Sequence, residues 1–292
     1  MARFVDLTLA GTANGMVYAA LALALVLIWR STRIVNFAQG GMAMITTFIA
    51  FSIVQRGGSY WLALLVAVAA GLLIGAVAER LLIRPVEDKP PLNAVIVTLG
   101  LLVFLQALAG MIYGGTPRSF SPAFDIRGFQ AGDRRLLFSP ADLFTVLAVL
   151  AVMAGLAVLF RYTSLGLRMR AAAFAPEVAR LLGVRVARTL TIGWALAAAV
   201  GALAGVLVAP STFVGPNQFD ATLVFGFTAA VLGGLDSPAG AVVGGLLLGV
   251  ALSYLSGYAG SDVVTLGALV VLIAVLMVRP AGLFGSTGER RV

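Results

Sequence analysis

Residues 60–83 read YWLALLVAVAAGLLIGAVAERLLI, with no charged side chain from Tyr60 to Ala78. A helix rises about 1.5 Å per residue, so a stretch of this length reaches across the roughly 30 Å hydrocarbon core of a bilayer. Seven further runs support the same reading: 11–29, 34–55, 92–113, 140–160, 189–210, 238–257 and 262–279. A ninth, Ala221 to Gly234, is shorter and suits either a short crossing or a re-entrant segment.

Proline and capping residues agree with these borders. The eleven prolines fall at or outside the run ends, where the missing N–H breaks no helical hydrogen bond. Ser139-Pro140-Ala141-Asp142 is a clear helix start: Ser139 as N-cap, Pro140 at the first helical position, and Asp142 near the positive end.

Composition points the same way. The chain of 292 residues is 61% hydrophobic and 11% charged, against about a quarter charged in a soluble domain. Cysteine and histidine are both absent, which removes thiol nucleophiles, zinc clusters and the commonest general base. An enzyme or a metal site is therefore not expected. The net charge of +8 does not indicate nucleic acid, because the arginines sit in short loops between apolar runs. Lys89 is the only lysine. Met1 to Leu9 carries Arg3 and Asp6 with no clear cleavage site after it, so no removed signal peptide is expected.

The basic residues orient the chain. The loop 161–188 holds Arg161, Arg168, Arg170, Arg180, Arg185 and Arg188, which the positive-inside rule makes cytoplasmic. Alternation outward from it brings Arg30, Arg33, Arg80, Arg84, Lys89, Arg279, Arg290 and Arg291 inside as well. Arg3, Arg56, Arg118, Arg127, Arg134 and Arg135 fall outside. This sorting requires 221–234 to cross. The expectation is a single all-α, polytopic transmembrane bundle over 1–292 with about nine crossings, N-terminus outside and C-terminus cytoplasmic.

Glycines spaced by four, Gly71/Gly75, Gly110/Gly114, Gly201/Gly205, Gly240/Gly244 and Gly245/Gly249, predict close helix packing. The outer loop 115–139 mixes Arg118, Asp125, Arg127, Asp133, Arg134 and Arg135 with Phe120, Phe124 and Phe129. That mixture suits a folded cap or a docking surface, and equally a merely solvated loop.

A coupled carrier usually buries a charge within its spans. Here Glu79, Arg80, Asp220, Asp236 and Asp262 all fall at run ends. There is no G-x-x-x-x-G-K-[ST] phosphate loop either. The chain is thus a passive pore or the translocating half of a machine whose motor is another polypeptide, with ATP held by that partner and no cofactor of its own.

Residues 175–183, APEVARLLG, read as a short isolated helix within the basic loop. Pro176 starts it, Glu177 and Arg180 suit its two ends, and Gly183 stops it. Val178, Leu181 and Leu182 form an apolar stripe too small to span. On the residues alone, a groove on a partner and the lipid surface fit that stripe equally.

Four stretches carry a family likeness: 33–40 (RIVNFAQG), 79–85 (ERLLIRP) ahead of Pro90-Pro91-Leu92, 163–171 (TSLGLRMRA) and 232–245 (LGGLDSPAGAVVGG). The chain resembles the H-type permease subunits of LIV-type ABC importers of branched-chain amino acids. The likeness implies that 164–185 is a coupling region. Within it, Pro176, Glu177, Val178, Arg180, Leu181, Leu182 and Gly183, with Arg170, would meet a cytoplasmic ATP-binding subunit. It also implies a second permease, a periplasmic solute-binding protein facing 115–139, and residence in the bacterial inner membrane. The sequence departs from the family pattern in two places. Gln39-Gly40-Gly41 replaces the usual histidine with Gly-Glu or Gly-Asp, and Phe174-Ala175 replaces Gln-Asp. These departures bear on the solute, since related systems import urea, short amides or aromatic acids.

Path-lining candidates are Asn36, Gln39, Asn93, Thr98, Gln106 and Thr228, which hydrogen-bond without burying a net charge. Each equally suits bridging or capping helices. Asn36 and Gln39, three apart on one predicted helical face, suggest an inner gate. The expected function is an importer permease. The alternative is a self-contained channel for a small neutral solute such as urea, which leaves the capped helix in the basic loop unexplained.

Overall fold

The computed structural model describes residues 2–87, 89–131 and 134–285. Asp88, Asp133, Arg290 and Arg291 lie outside them. Eleven helices are described: α1 Ala2–Thr32, α2 Gln39–Gln55, α3 Tyr60–Ala78, α4 Pro91–Tyr113, α5 Pro140–Tyr162, α6 Ser164–Phe174, α7 Pro176–Leu181, α8 Val186–Val208, α9 Asp220–Gly233, α10 Pro238–Ala259 and α11 Val264–Val278. Seven are long and apolar enough to cross a bilayer, and two shorter apolar helices, α2 and α9, accompany them.

The eight long runs of the sequence reading therefore become seven, because the run 34–55 is only partly helical. Arg33 takes a left-handed φ of 57° that ends α1. Asn36 Oδ1 then accepts the Ala38 N–H at 3.0 Å, a local turn that competes with helical bonding. The 17 residues of α2 and 14 of α9 rise only about 26 Å and 21 Å.

α1 begins well before residue 11, since partners on α10 satisfy its polar first turns. Arg3 donates to the Gly257 carbonyl, and Phe4 stacks on Tyr254 at 5.3 Å. Farther along, α1 is the central helix, with Ala19 through Ile28 all buried against α8, α9 and α10. The closest crossing is with α10. A Cβ on Gly249 would stand 2.3 Å from Gly15 Cα, and one on Gly245 2.6 Å from Ala19 Cα. In an apolar solvent such contact is gained by dispersion between backbones, which small residues permit. Gly71 and Gly75 do the same for α3 on α8, and Gly201 and Gly205 for α8 on α2. Gly110/Gly114 departs from the expectation: among the described residues, a Cβ at either position meets nothing within 4 Å.

The N-cap of α5 is as the sequence reads. Ser139 Oγ accepts the Asp142 N–H at 3.2 Å, and Asp142 accepts the Ser139 N–H at 2.8 Å.

The predicted inner segments gather at one end of the bundle. Arg33 pairs with Asp236, Arg84 reaches Ala187 and Thr191, and Leu283 N–H donates to Leu232 at 2.8 Å. At the other end the loop after α4 folds back as a cap. Arg118 and Val214 exchange backbone hydrogen bonds at 3.0 and 2.8 Å. Phe120 packs on Tyr60, and Phe124 on Trp61 and Phe144. Two short strands, Gln130–Ala131 and Arg134–Arg135, pair antiparallel with Gln130 opposite Arg135.

Candidate functional site

The chain turns sharply between α6 and α8, and there it builds an exposed apolar knob. Thr163 caps α6 by accepting the Gly166 N–H at 3.2 Å. Ala175, with φ −145° and ψ 79°, breaks the helix, and Pro176 restarts it. Gly183, at φ +82°, stops it, and the Gly183 N–H donates to Arg180 at 3.0 Å. Only glycine holds that conformation without strain.

One small residue fastens α7 down. Ala179 is 2% exposed and packs with Ala172, Val186 and Leu190. The stripe faces away: Leu181 is 87% exposed, Leu182 78%, and Val178 more than half. Phe174, at 93%, is more exposed still. The stripe read from the sequence does not include Phe174, which precedes the Ala-Pro break. Glu177 and Arg180 are exposed on the same short helix. Arg170 turns the other way and donates to the Phe160 carbonyl.

In the interior, Asn36 and Gln39 meet. Asn36 Nδ2 donates to Gln39 Oε1 at 3.3 Å, and Gln39 Nε2 donates to the Ala197 carbonyl at 3.0 Å. Both side chains are fully buried. They do not share a helical face, because Asn36 lies in the unwound entry to α2. The absence of a side chain at Gly201 admits Gln39: a Cβ there would stand 2.1 Å from Nε2.

The other four polar candidates are not hydrogen-bonded to that pair. Thr98 and Thr228 donate to carbonyls of their own helices, Val95 and Val224. Gln106 donates to Asp220 at 2.7 Å. Asn93 sits half-buried in the first turn of α4.

A buried carboxylate escaped the sequence reading. Glu79 does close its apolar run, yet it is 1% exposed. Arg84 Nη2 donates to its Oε2 at 2.9 Å, and the Thr191 hydroxyl donates to the same oxygen at 2.6 Å. The helix widens to a π-turn over Glu79–Ile83, which stacks residue i+5 above residue i. An ordinary helical period puts Arg84 on a different face from Glu79, so the pairing is invisible at i+3 and i+4. The one available signal is ERLLIR itself, opposite charges five apart at a run end.

Residues 7–278 match the family model described as branched-chain amino acid transport system / permease component. The chain is 31% identical to the high-affinity branched-chain amino acid permease protein LivH of Salmonella typhimurium, across 97% of this chain and 96% of that one. It is equally similar, at 31% over the same shares, to BraD of Pseudomonas aeruginosa, a permease protein of the same kind of system. A chain of the solved structure "PsaBC from Streptococcus pneumoniae in complex with Fab" has the same fold, with TM-score 0.50, 14% identity, and coverage of 94% of this chain and 91% of that one. With the family model matching nearly the whole length and relatives aligned end to end, the chain belongs to the family of branched-chain amino acid transport system permease components.

Proposed function

We propose that this chain is the membrane-spanning permease subunit of an ATP-driven importer in the bacterial inner membrane, moving branched-chain amino acids or a similar small solute. The observation that carries the reading is α7. A knob of Val178, Leu181 and Leu182, joined by Phe174, projects from the most basic end of the bundle, with Ala179 as its buried anchor. Burying each leucine in a partner groove gains about 1.5–3 kcal/mol, enough for a small helix to transmit force.

The chain has no phosphate loop, so separate cytoplasmic ATP-binding subunits supply the work. A second permease completes the path, and a periplasmic solute-binding protein docks on the loop 115–139. Family names support these partners, since the matched relatives are permease proteins of transport systems. We read α2 and α9, extended by the non-helical residues beside them, as crossings. That makes nine, with the N-terminus outside. The chain itself performs no catalysis and needs no cofactor. Membrane lipid is its solvent, and nucleic acid has no place in this scheme.

Proteoliposomes test the scheme. Labelled leucine is expected to accumulate uphill only when this chain, its sister permease, the ATPase and the binding protein are all present with ATP. Flux through this chain alone without ATP would select a self-contained channel instead.

A further inference from the structure

A cavity of about 520 Å³ opens between the inner ends of α1, α5 and α6 and the α9–α10 turn. Three guanidinium groups face it, those of Arg30, Arg33 and Arg170, together with one carboxylate, Asp236. Arg33 pairs with Asp236. Arg170 donates only to the Phe160 carbonyl among the described contacts, and Arg30 lies 5.6 Å over the Phe160 ring. Neither Arg30 nor Arg170 has an ion pair among the described residues.

With Asp236 taken by Arg33, the cavity holds two positive charges in excess. Like charges gathered here repel, and Arg30, partly buried beside the apolar wall, is screened least by water. An anion between them removes that cost. The forked guanidinium presents paired donors that match a phosphate oxyanion.

The surroundings narrow the source. Leu27 and Met169, both buried, also line the cavity. Trp29 on α1 and Tyr162 at the end of α5 lie at this same level, the depth at which interfacial aromatics collect. Basic pockets between membrane helices on the inner side recur as headgroup sites. We infer that this cavity binds the phosphate group of an anionic lipid, with Arg30 and Arg170 as its principal ligands. Free phosphate offers the same oxyanion without using the apolar wall.

The permease purified with its ATPase and placed in phosphatidylcholine nanodiscs tests the inference by native mass spectrometry, with phosphatidylglycerol and inorganic phosphate titrated separately. Wild type is expected to hold phosphatidylglycerol at least tenfold more tightly than Arg30→Gln with Arg170→Gln. Ala173→Phe fills the cavity while keeping every charge, and it is expected to lose the lipid similarly. Arg161→Gln, whose guanidinium lies over Tyr162 and does not line the cavity, keeps it. If the double variant fails to co-elute with the ATPase, Ala173→Phe decides.

Inorganic phosphate binding with the same arginine dependence, and not displaced by phosphatidylglycerol, assigns the oxyanion site to the free ion and overturns the lipid source. Equal lipid retention by wild type and the cavity variants overturns the whole inference. So does a wild type that binds neither probe. In that case, loss of the ATPase from the double variant would hand the cavity to an acidic side chain of the motor.

Discussion

The Thr191 hydroxyl on α8 donates to the buried Glu79 carboxylate at 2.6 Å, beside Arg84, which the π-turn brings to the same oxygen and which also donates to Thr191 at 2.8 Å. This clamp ties the C-terminal end of α3 to the first turns of α8, the helix that follows α7 directly. Arg84→Ala leaves Glu79 buried and charged with one neutral donor. Breaking a buried pair typically costs about 3–5 kcal/mol, and Arg84 is one-third exposed, so the low end, about 3 kcal/mol, is expected. Glu79→Gln keeps hydrogen-bonding partners and should cost about 1 kcal/mol. Thermal unfolding of the permease in detergent measures both, and an Arg84→Ala midpoint equal to wild type would rule the clamp out as a stabilising contact.

Glycine substitutions should separate the true helix contacts from the apparent ones. A Cβ on Gly249 falls inside the backbone of α1, so Gly249→Ala forces the helices apart at a cost of about 1–3 kcal/mol. Gly110 faces open space, and Gly110→Ala should instead stabilise by up to about 1 kcal/mol through helix propensity. The two unfolding midpoints should move in opposite directions. If both fall together, the glycines are not acting through the α1–α10 contact.

The same contrast explains what the sequence made legible. Long uncharged runs and prolines at their ends report helices in lipid directly, because lipid tolerates only helices and closed barrels and a run of about 20 apolar residues suits the helix. The knob was equally readable, since Pro176, Gly183 and the spacing of Val178, Leu181 and Leu182 are all local. What stayed hidden depends on distant partners or on non-helical periods. Run 34–55 looks like one helix because nothing local marks Arg33 as left-handed. Glu79 looked terminal because its partners are five residues on and on another helix. Gly110/Gly114 shows the converse: spacing by four supplies the means for contact but not the neighbour.

The knob's outward residues make a sharp test of coupling. Leu181 and Leu182 touch little within the chain, and exposed positions usually change stability by less than about 0.5 kcal/mol. Leu181→Asp with Leu182→Asp should therefore leave the permease's own unfolding midpoint almost unmoved while abolishing copurification with the ATPase. Phe174→Asp should weaken copurification further in the presence of either single change. An undisturbed complex in the double variant would end the assignment of α7 as the grip.

Gln39 is where packing and a gate are hardest to separate, and Gly201 separates them. Gln39 donates to Ala197 and accepts from Asn36, so Gln39→Ala removes two buried hydrogen bonds and leaves the Asn36 side-chain N–H without its acceptor, at about 1–3 kcal/mol. A purely structural role predicts lower stability with solute uptake per folded complex preserved. A gate predicts reduced uptake and altered basal ATPase in complexes that remain folded. Gly201→Ala keeps the Gln39 side chain but drives it from its place, because the new methyl would stand 2.1 Å from Nε2. The expectation is that Gly201→Ala reproduces the uptake defect of Asn36→Ala with Gln39→Ala. Unchanged uptake and unchanged basal ATPase in that double variant would leave the pair as interior packing alone.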